Sequence, residues 1–131
     1  MIVVDTNVVA YLFLEGEFTA PAEALLQHDA EWVAPVLWRS ELRSILAGYL
    51  RRRALTFDQV RSIQAEAESL LAGNEHKVDS QRVLELVRDT DCSAYDCEFA
   101  ALALRLDVKL VTMEARLLRA FPKFAVPLTA A

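Results

Sequence analysis

Cysteine, glycine and histidine are all scarce in this chain, and each shortage removes a class of chemistry. Cys92 and Cys97 stand five apart, a spacing that suits neither a redox CxxC pair nor a zinc motif, and two cysteines make no disulfide framework. They are read as buried free thiols. The only glycines are Gly16, Gly48 and Gly73, so there is no glycine-rich loop to cradle a nucleotide phosphate. His28 and His76 have no triad or metal-motif context and are read as surface or satisfied core residues. A long apolar run is missing too: Asp5 interrupts the opening MIVVDTNVVAYLFL and no basic leader precedes it, which argues against a signal peptide or membrane span and predicts a cytosolic protein. The net charge of −5 provides no overall basic field for nucleic acid.

What is present is a large apolar fraction, 54% of 131 residues, enough for one domain spanning 1–131 with a single core. Arginine greatly outnumbers lysine, and Arg39, Arg43, Arg51, Arg52 and Arg53 share one segment. Such a run is either a solvated helix end or a phosphate-binding patch, and arginine is the better planar partner for phosphate.

Short β-branched runs alternate with longer helical stretches, the rhythm of a parallel sheet flanked by helices. The expected strands are Ile2 to Val4, Trp32 to Ala34, Lys77 to Val78, Val108 to Val111 and Ala125 to Leu128. A first helix is expected from about Val8 to Leu14 and a second from near Pro21. Pro35 reads as a first helical residue, and Leu42, Ile45, Leu46 and Tyr49 recur at helical spacing, so a helix is expected to reach about Arg53. Thr56 and Gln59 form a capping box opening a second long helix that stops at Gly73-Asn74. These two make a helical hairpin. Further helices start at Ser80 and at Ser93, and a short one follows Thr112 until Phe121-Pro122.

Four acids fall where chemistry gathers in such a fold. Asp5 ends an apolar strand, at the carboxyl edge where ligands bind, and reads equally as a metal ligand or a helix N-cap. Glu41 lies on the flank of an apolar helical stripe, where a carboxylate needs either a metal or an ion pair with an arginine such as Arg43. Asp96 sits on the buried side of its helix, either aimed into a cleft or acting as a capping-box partner of Ser93. Glu114 follows the strand ending at Thr112, where helix-dipole preference alone also favours an acid. Asp79 and Asp91 precede helices and are read as caps. Carboxylates converging on one place repel one another unless cations intervene, and oxygen-only ligation suits Mg²⁺ or Mn²⁺. Such a cluster hydrolyses phosphodiesters through an activated water and needs no side-chain nucleophile.

Taken together, MIVVDTNV, LWRSEL around Glu41, SAYDCEFAALAL around Asp96 and KLVTMEARLL near the end resemble the PIN-domain family over nearly the whole chain, and within it the VapC-type toxins. The resemblance implies a three-layer α/β/α sandwich with a central parallel sheet and a protruding helical hairpin. It further implies a Mg²⁺- or Mn²⁺-dependent endoribonuclease acting on structured cellular RNA, a homodimer, and a cognate antitoxin whose tail covers the active site. Asp5, Glu41 and Asp96 match the first three family acids, Asp5 and Asp96 as metal ligands. Asn7 matches a polar residue that orients them. Glu114 occupies the fourth position, where the family more often has aspartate; its extra methylene bears on a second metal site. The hairpin from about Pro35 to Leu71 looks like the clip that grips the antitoxin and the dimer mate.

Three other readings compete. Haloacid dehalogenase phosphatases also open on a strand ending in Asp, but require a second aspartate where this chain has Asn7. A degenerate PIN module would bind RNA or protein without cutting, and a PIN nuclease of RNA processing would cut without being a toxin.

Overall fold

The computed structural model describes residues 1–131. Its elements in chain order are β1 (Ile2–Val4), α1 (Thr6–Phe13), α2 (Thr19–His28), β2 (Trp32–Pro35), α3 (Trp38–Arg51), α4 (Phe57–Leu70), β3 (Glu75–His76), α5 (Ser80–Asp89), α6 (Ala94–Leu106), β4 (Leu110–Val111), α7 (Ala115–Ala120) and β5 (Ala125–Val126), with a final 3₁₀ turn at Leu128–Ala130. All four strand pairings are parallel, in the order β3-β2-β1-β4-β5. The chain fills one side of β1 with β2 and β3, then crosses to the other side for β4 and β5. That reversal opens a crevice at the carboxyl ends of β1 and β4, the place where open α/β sheets bind ligands.

Burial explains the layering. β1 and β2 are buried along their whole length, so their side chains need cover on both faces and the strands read as continuous apolar runs rather than alternating ones. Helices flank the sheet as an α/β/α sandwich: α6, with Phe99, Ala100 and Leu102 inaccessible to solvent, lies along β1, β2 and β4, while α5 backs α6. Helix α1 packs on α2 and α3, and α4 lies on α3 as the second arm of the hairpin.

Most element starts follow their expected chemistry. Thr56 caps α4 with the full reciprocal box to Gln59, and the Ser93 hydroxyl accepts from the Asp96 amide at the start of α6. Asp79 caps α5. Asp91, read as a cap, does not act as one, because Ser93 lies two residues further on and takes that position.

Several boundaries differ from the sequence expectation. Pro35 is the last residue of β2, not the first of a helix, and α3 begins at Trp38. Ala34 and Val36 send their amides to Asn74 and His76 on the β3 side, so the amide that Pro35 lacks falls on the β1 side, past the last β1–β2 pair, Val3 with Val33. The third strand is Glu75–His76 instead of Lys77–Val78, fixed by the register of Ala34 with Glu75 and Pro35 with His76. β4 starts only at Leu110, and β5 ends at Val126 because Pro127 opens the 3₁₀ turn. α1 and α2 begin at Thr6 and Thr19, each two residues earlier than expected. α4 ends at Leu70, three residues before Gly73, whose φ of 80° carries the chain round to β3.

Helix α3 ends in a Schellman motif. The Arg53 amide donates to the Leu50 carbonyl and the Ala54 amide to the Tyr49 carbonyl, with Arg53 in the left-handed region at φ 58°. Glycine is the usual residue at that position; here an arginine bears the strain.

Candidate active site

The crevice beside β1 is a cavity of about 270 Å³ in which Asp5, Glu41, Asp96 and Glu114 come together. Thr6, Asn7, Ser44 and Ile45 complete its wall, and no basic side chain lines it. Larger cavities of about 440 Å³ and about 420 Å³ open between β3 and α5 and between α3 and α4, but each gathers a single acid, Glu98 in the first and Glu68 in the second.

Each acid arrives from a different element. Asp5 follows β1 and is the N-cap of α1, only 6% exposed. Its Oδ1 accepts from the Thr6 amide at 2.7 Å, and its Oδ2 accepts from the Thr112 hydroxyl at 2.8 Å. Thr112, just beyond β4, also accepts from the Glu114 amide at 2.9 Å, so one hydroxyl ties the ends of the two adjacent strands together. Glu41 comes from the first turn of α3, and its Oε1 accepts from the Thr6 hydroxyl at 2.7 Å. No ion pair holds Glu41; Arg43 donates instead to the Arg39 carbonyl. Asp96 stands in the first turn of α6, and its carboxylate does not return a bond to the Ser93 amide, which leaves it free on the cavity wall. Glu114 is the N-cap of α7, its Oε1 accepting from the Arg116 amide at 3.3 Å.

Electrostatics sets these residues apart. Burial, helped by the charges of Glu41 and Asp96, pushes the Asp5 carboxyl up to about 6 against the lowering effect of the Thr112 and Thr6 hydrogen bonds. Glu41 is raised by burial and then by the negative charge of Asp96 and Glu98, with the Thr6 hydroxyl opposing. Asp96 is raised by burial and by Glu114, with the Ser93 bond and Arg116 opposing. Mutual elevation is the signature of carboxylates held together without a compensating cation.

That donor set fits a hard divalent ion: it consists of oxygens alone, carries excess negative charge and has no arginine or lysine in the cavity lining. No three of the acids are gathered into a ready-made cage. Mg²⁺ does not require one, since it keeps several waters and takes one or two carboxylates.

The sequence singled out the four acids and Asn7, and all five line the cavity. Asn7 is exposed and its amide makes no hydrogen bond to the acids; Thr6 and Thr112 hold them in place. Neither threonine was singled out. The only signal was their place, Thr6 directly after Asp5 and Thr112 at the end of an apolar strand. Glu98, on the same helix as Asp96, is half-buried and lies near enough to raise Glu41.

The hairpin has its own polar anchor. Arg39 donates through Nε and Nη2 to the two Glu75 oxygens, both at 2.6 Å, and through Nη1 to Glu68 at 2.9 Å, while the indole of inaccessible Trp38 donates to Glu75 at 2.8 Å. Helix α3 has no side-chain cap, and Glu75 on β3 fixes its start instead, two residues from Glu41.

The family model described as PIN domain matches residues 2–122. No curated protein matches the chain. Among solved structures, it is similar to PAE2754 from Pyrobaculum aerophilum, with a TM-score of 0.79 and 18% identity over 98% of this chain and 84% of that one. It is similar to FitAcB from Neisseria gonorrhoeae, with a TM-score of 0.75 and 17% identity over the whole of both chains. A toxin-antitoxin complex from Klebsiella pneumoniae gives a TM-score of 0.69 and 16% identity over 98% of each chain.

Proposed function

Because the chain belongs to the PIN-domain family, we propose that residues 1–131 act as one unit, a Mg²⁺- or Mn²⁺-dependent endoribonuclease of the VapC type that serves in the cytosol as the toxin of a toxin-antitoxin pair. The observation that carries this reading is the convergence of Asp5, Glu41, Asp96 and Glu114 on one cavity whose lining holds no basic side chain. A bound divalent ion supplies a water made acidic enough to attack and a counter-charge for the phosphate.

The residues of the chain divide the remaining work. Asp5, at a strand end, and Asp96, at a helix start, would hold the ion. Two hydrogen bonds hold Asp5 in a fixed orientation, so little freedom is lost when the site fills. Glu41, oriented by the Thr6 hydroxyl, completes the shell or steers the water. Glu114 stands fourth, with one oxygen committed to the start of α7.

Partners follow from the same reading. The groove between α3 and α4 is mostly apolar, with Leu50 and Phe57 exposed beside Arg43 and Arg61, and it suits an apolar antitoxin segment bearing acidic residues. The likeness to a chain from a toxin-antitoxin complex supports a partner of this kind. A homodimer is proposed on family resemblance.

Cleavage of a structured-RNA pool by purified protein, with Mn²⁺ and with chelator, tests the function. We expect metal-dependent cutting that disappears in folded Asp5→Ala and Asp96→Ala. Equal cutting by the variants would expose a contaminant and sink the site assignment. The second reading is a module that binds without cutting, favoured by the commitment of Glu114 to a helix cap. Failure of the folded wild type to take up Mn²⁺ would decide for it.

A further inference from the structure

The arginines of α3 and its end divide into those already committed and three, Arg51, Arg52 and Arg53, that pair with no carboxylate, and of these Arg52 alone is held against an aromatic ring. Arg39 is occupied by Glu75 and Glu68, and Arg43 by the Arg39 carbonyl. Arg52, exposed at the end of α3, pairs with no carboxylate, and its guanidinium donates to no acceptor of the chain. A solvated helix end would let that side chain wander. Instead it folds back along the helix: the guanidinium carbon lies 4.7 Å from the centre of the Tyr49 ring. Its Nη1 sits 3.1 Å from where a β-carbon on Gly48 would be. The missing side chain at Gly48 is what gives the arginine room to lie down, and the ring keeps it there through cation–π attraction.

The direction of the fold matters. At about 100° per residue, eleven residues return to within about 20° of the starting azimuth, so Arg52 shares a helix face with Glu41. Ser44, Ile45 and Gly48 lie between them on that face, and Ser44 and Ile45 line the acidic cavity. Gly48, under the guanidinium, is about 10 Å from Glu41 along the helix axis. One face of α3 therefore carries an acidic cleft at its start and, a few nucleotides' reach away, a held, unpaired fork of five N–H donors. A held cation on the same helix face as the acidic cavity, bonded to no carboxylate, is positioned for an anion that arrives from outside.

We propose that Arg52 is a phosphate-binding residue of the RNA substrate, gripping the backbone a few nucleotides from the scissile phosphate on a strand that leaves the acidic cavity along this face of α3. This rests on the nuclease reading above. It assigns Arg52 to affinity and leaves the hydrolytic step to the acids.

The test measures binding of a mixed-sequence phosphorothioate RNA, which resists cleavage, to wild type, Arg52→Gln and Arg82→Gln across a salt series in Mg²⁺, with cleavage kinetics alongside. Arg82 removes the same charge from α5, near Leu104 and Arg105 at the far end of α6 from Asp96. For Arg52→Gln we expect about tenfold weaker binding, a salt slope shallower by about 0.7, and a higher KM at nearly unchanged kcat. Arg82→Gln should match wild type. Equal behaviour of Arg52→Gln and wild type, or equal losses in both variants, would overturn the assignment while leaving the nuclease intact. Loss of binding to a polyglutamate peptide with RNA affinity unchanged would give Arg52 to a protein carboxylate and overturn it as well. A wild type that neither binds nor cuts RNA would sink the nuclease reading and this inference together.

Discussion

Replacing Asp5 by Asn should make the metal-free protein more stable at neutral pH. Asp5 is nearly inaccessible, and its carboxyl, which ordinarily titrates at about 3.9, is held up to about 6. A raised acid pKa means that the folded state binds the proton more tightly than the unfolded state. Its stabilising contribution is full below about pH 4 and is lost as pH rises through 6. The difference between the two pKa values corresponds to about 3 kcal/mol at pH 7.5. Asn removes the charge and remains a good N-cap for α1. It accepts from the Thr6 amide as before but no longer accepts from the Thr112 hydroxyl, which gives back about 1 kcal/mol. The net gain is about 2 kcal/mol, or roughly 5–10 °C in Tm for a chain of this length.

Melts of both proteins in chelator at pH 7.5 and pH 4, and again with Mg²⁺ at pH 7.5, check each step. In chelator at pH 7.5 the variant should melt higher, and at pH 4 the advantage should disappear. Ion at about a hundred times its Kd should stabilise the wild type by about 2.7 kcal/mol and leave the variant almost unmoved, closing the gap. If the variant melts lower at pH 7.5 in chelator and Mg²⁺ stabilises both proteins alike, Asp5 serves the fold as a cap, and the argument from its charge is wrong.

Three further outcomes follow from the geometry. Thr112→Val strands the Asp5 carboxylate and the Glu114 amide, which should cost about 1–3 kcal/mol in urea unfolding. Because the lost bond was lowering the Asp5 carboxyl, the acidic limb of the pH–rate profile should also move to higher pH. Glu75→Ala leaves the buried Trp38 indole unpaired and should cost about 1–3 kcal/mol; Arg39 adds little to that because it is half-exposed and keeps Glu68. Arg53→Gly relieves a left-handed backbone at the end of α3 and should raise stability by about 1 kcal/mol, measurable as a higher urea midpoint at unchanged slope.

The acids could be found in the sequence because Asp5 and Glu114 follow apolar strands, Asp96 lies just inside a helix start and Glu41 flanks an apolar helical stripe. The hairpin was equally visible through its 3.6-residue stripe and the Thr56–Gln59 box. Less visible was anything decided by contact across the fold. Thr6 and Thr112 look like any strand-end threonines until the sheet brings β1 beside β4. Pro35 misled because proline suits a first helical turn and a strand end past its ladder equally well. β3 is two residues long, too short for any periodicity, and only its pairing with Ala34 and Pro35 identifies it. Of the five clustered arginines, composition could not say that Arg39 is structural and Arg52 free, because that depends on which carboxylates the tertiary fold delivers.

The central place of β1 also sets when the acidic cluster comes into being. Asp5 precedes in the chain nearly everything that surrounds it, and the hydroxyl that orients it lies 107 positions later. A nascent chain can pair β1 with β2 early, but the other edge of β1 stays open until Leu110 and Val111 emerge. Contacts of such sequence separation form late and slowly. The first acid made is thus the last to be secured, and a chain interrupted before β4 carries Asp5 without the strand that completes its surroundings. That topology withholds the assembled acidic cluster until β4 has been made.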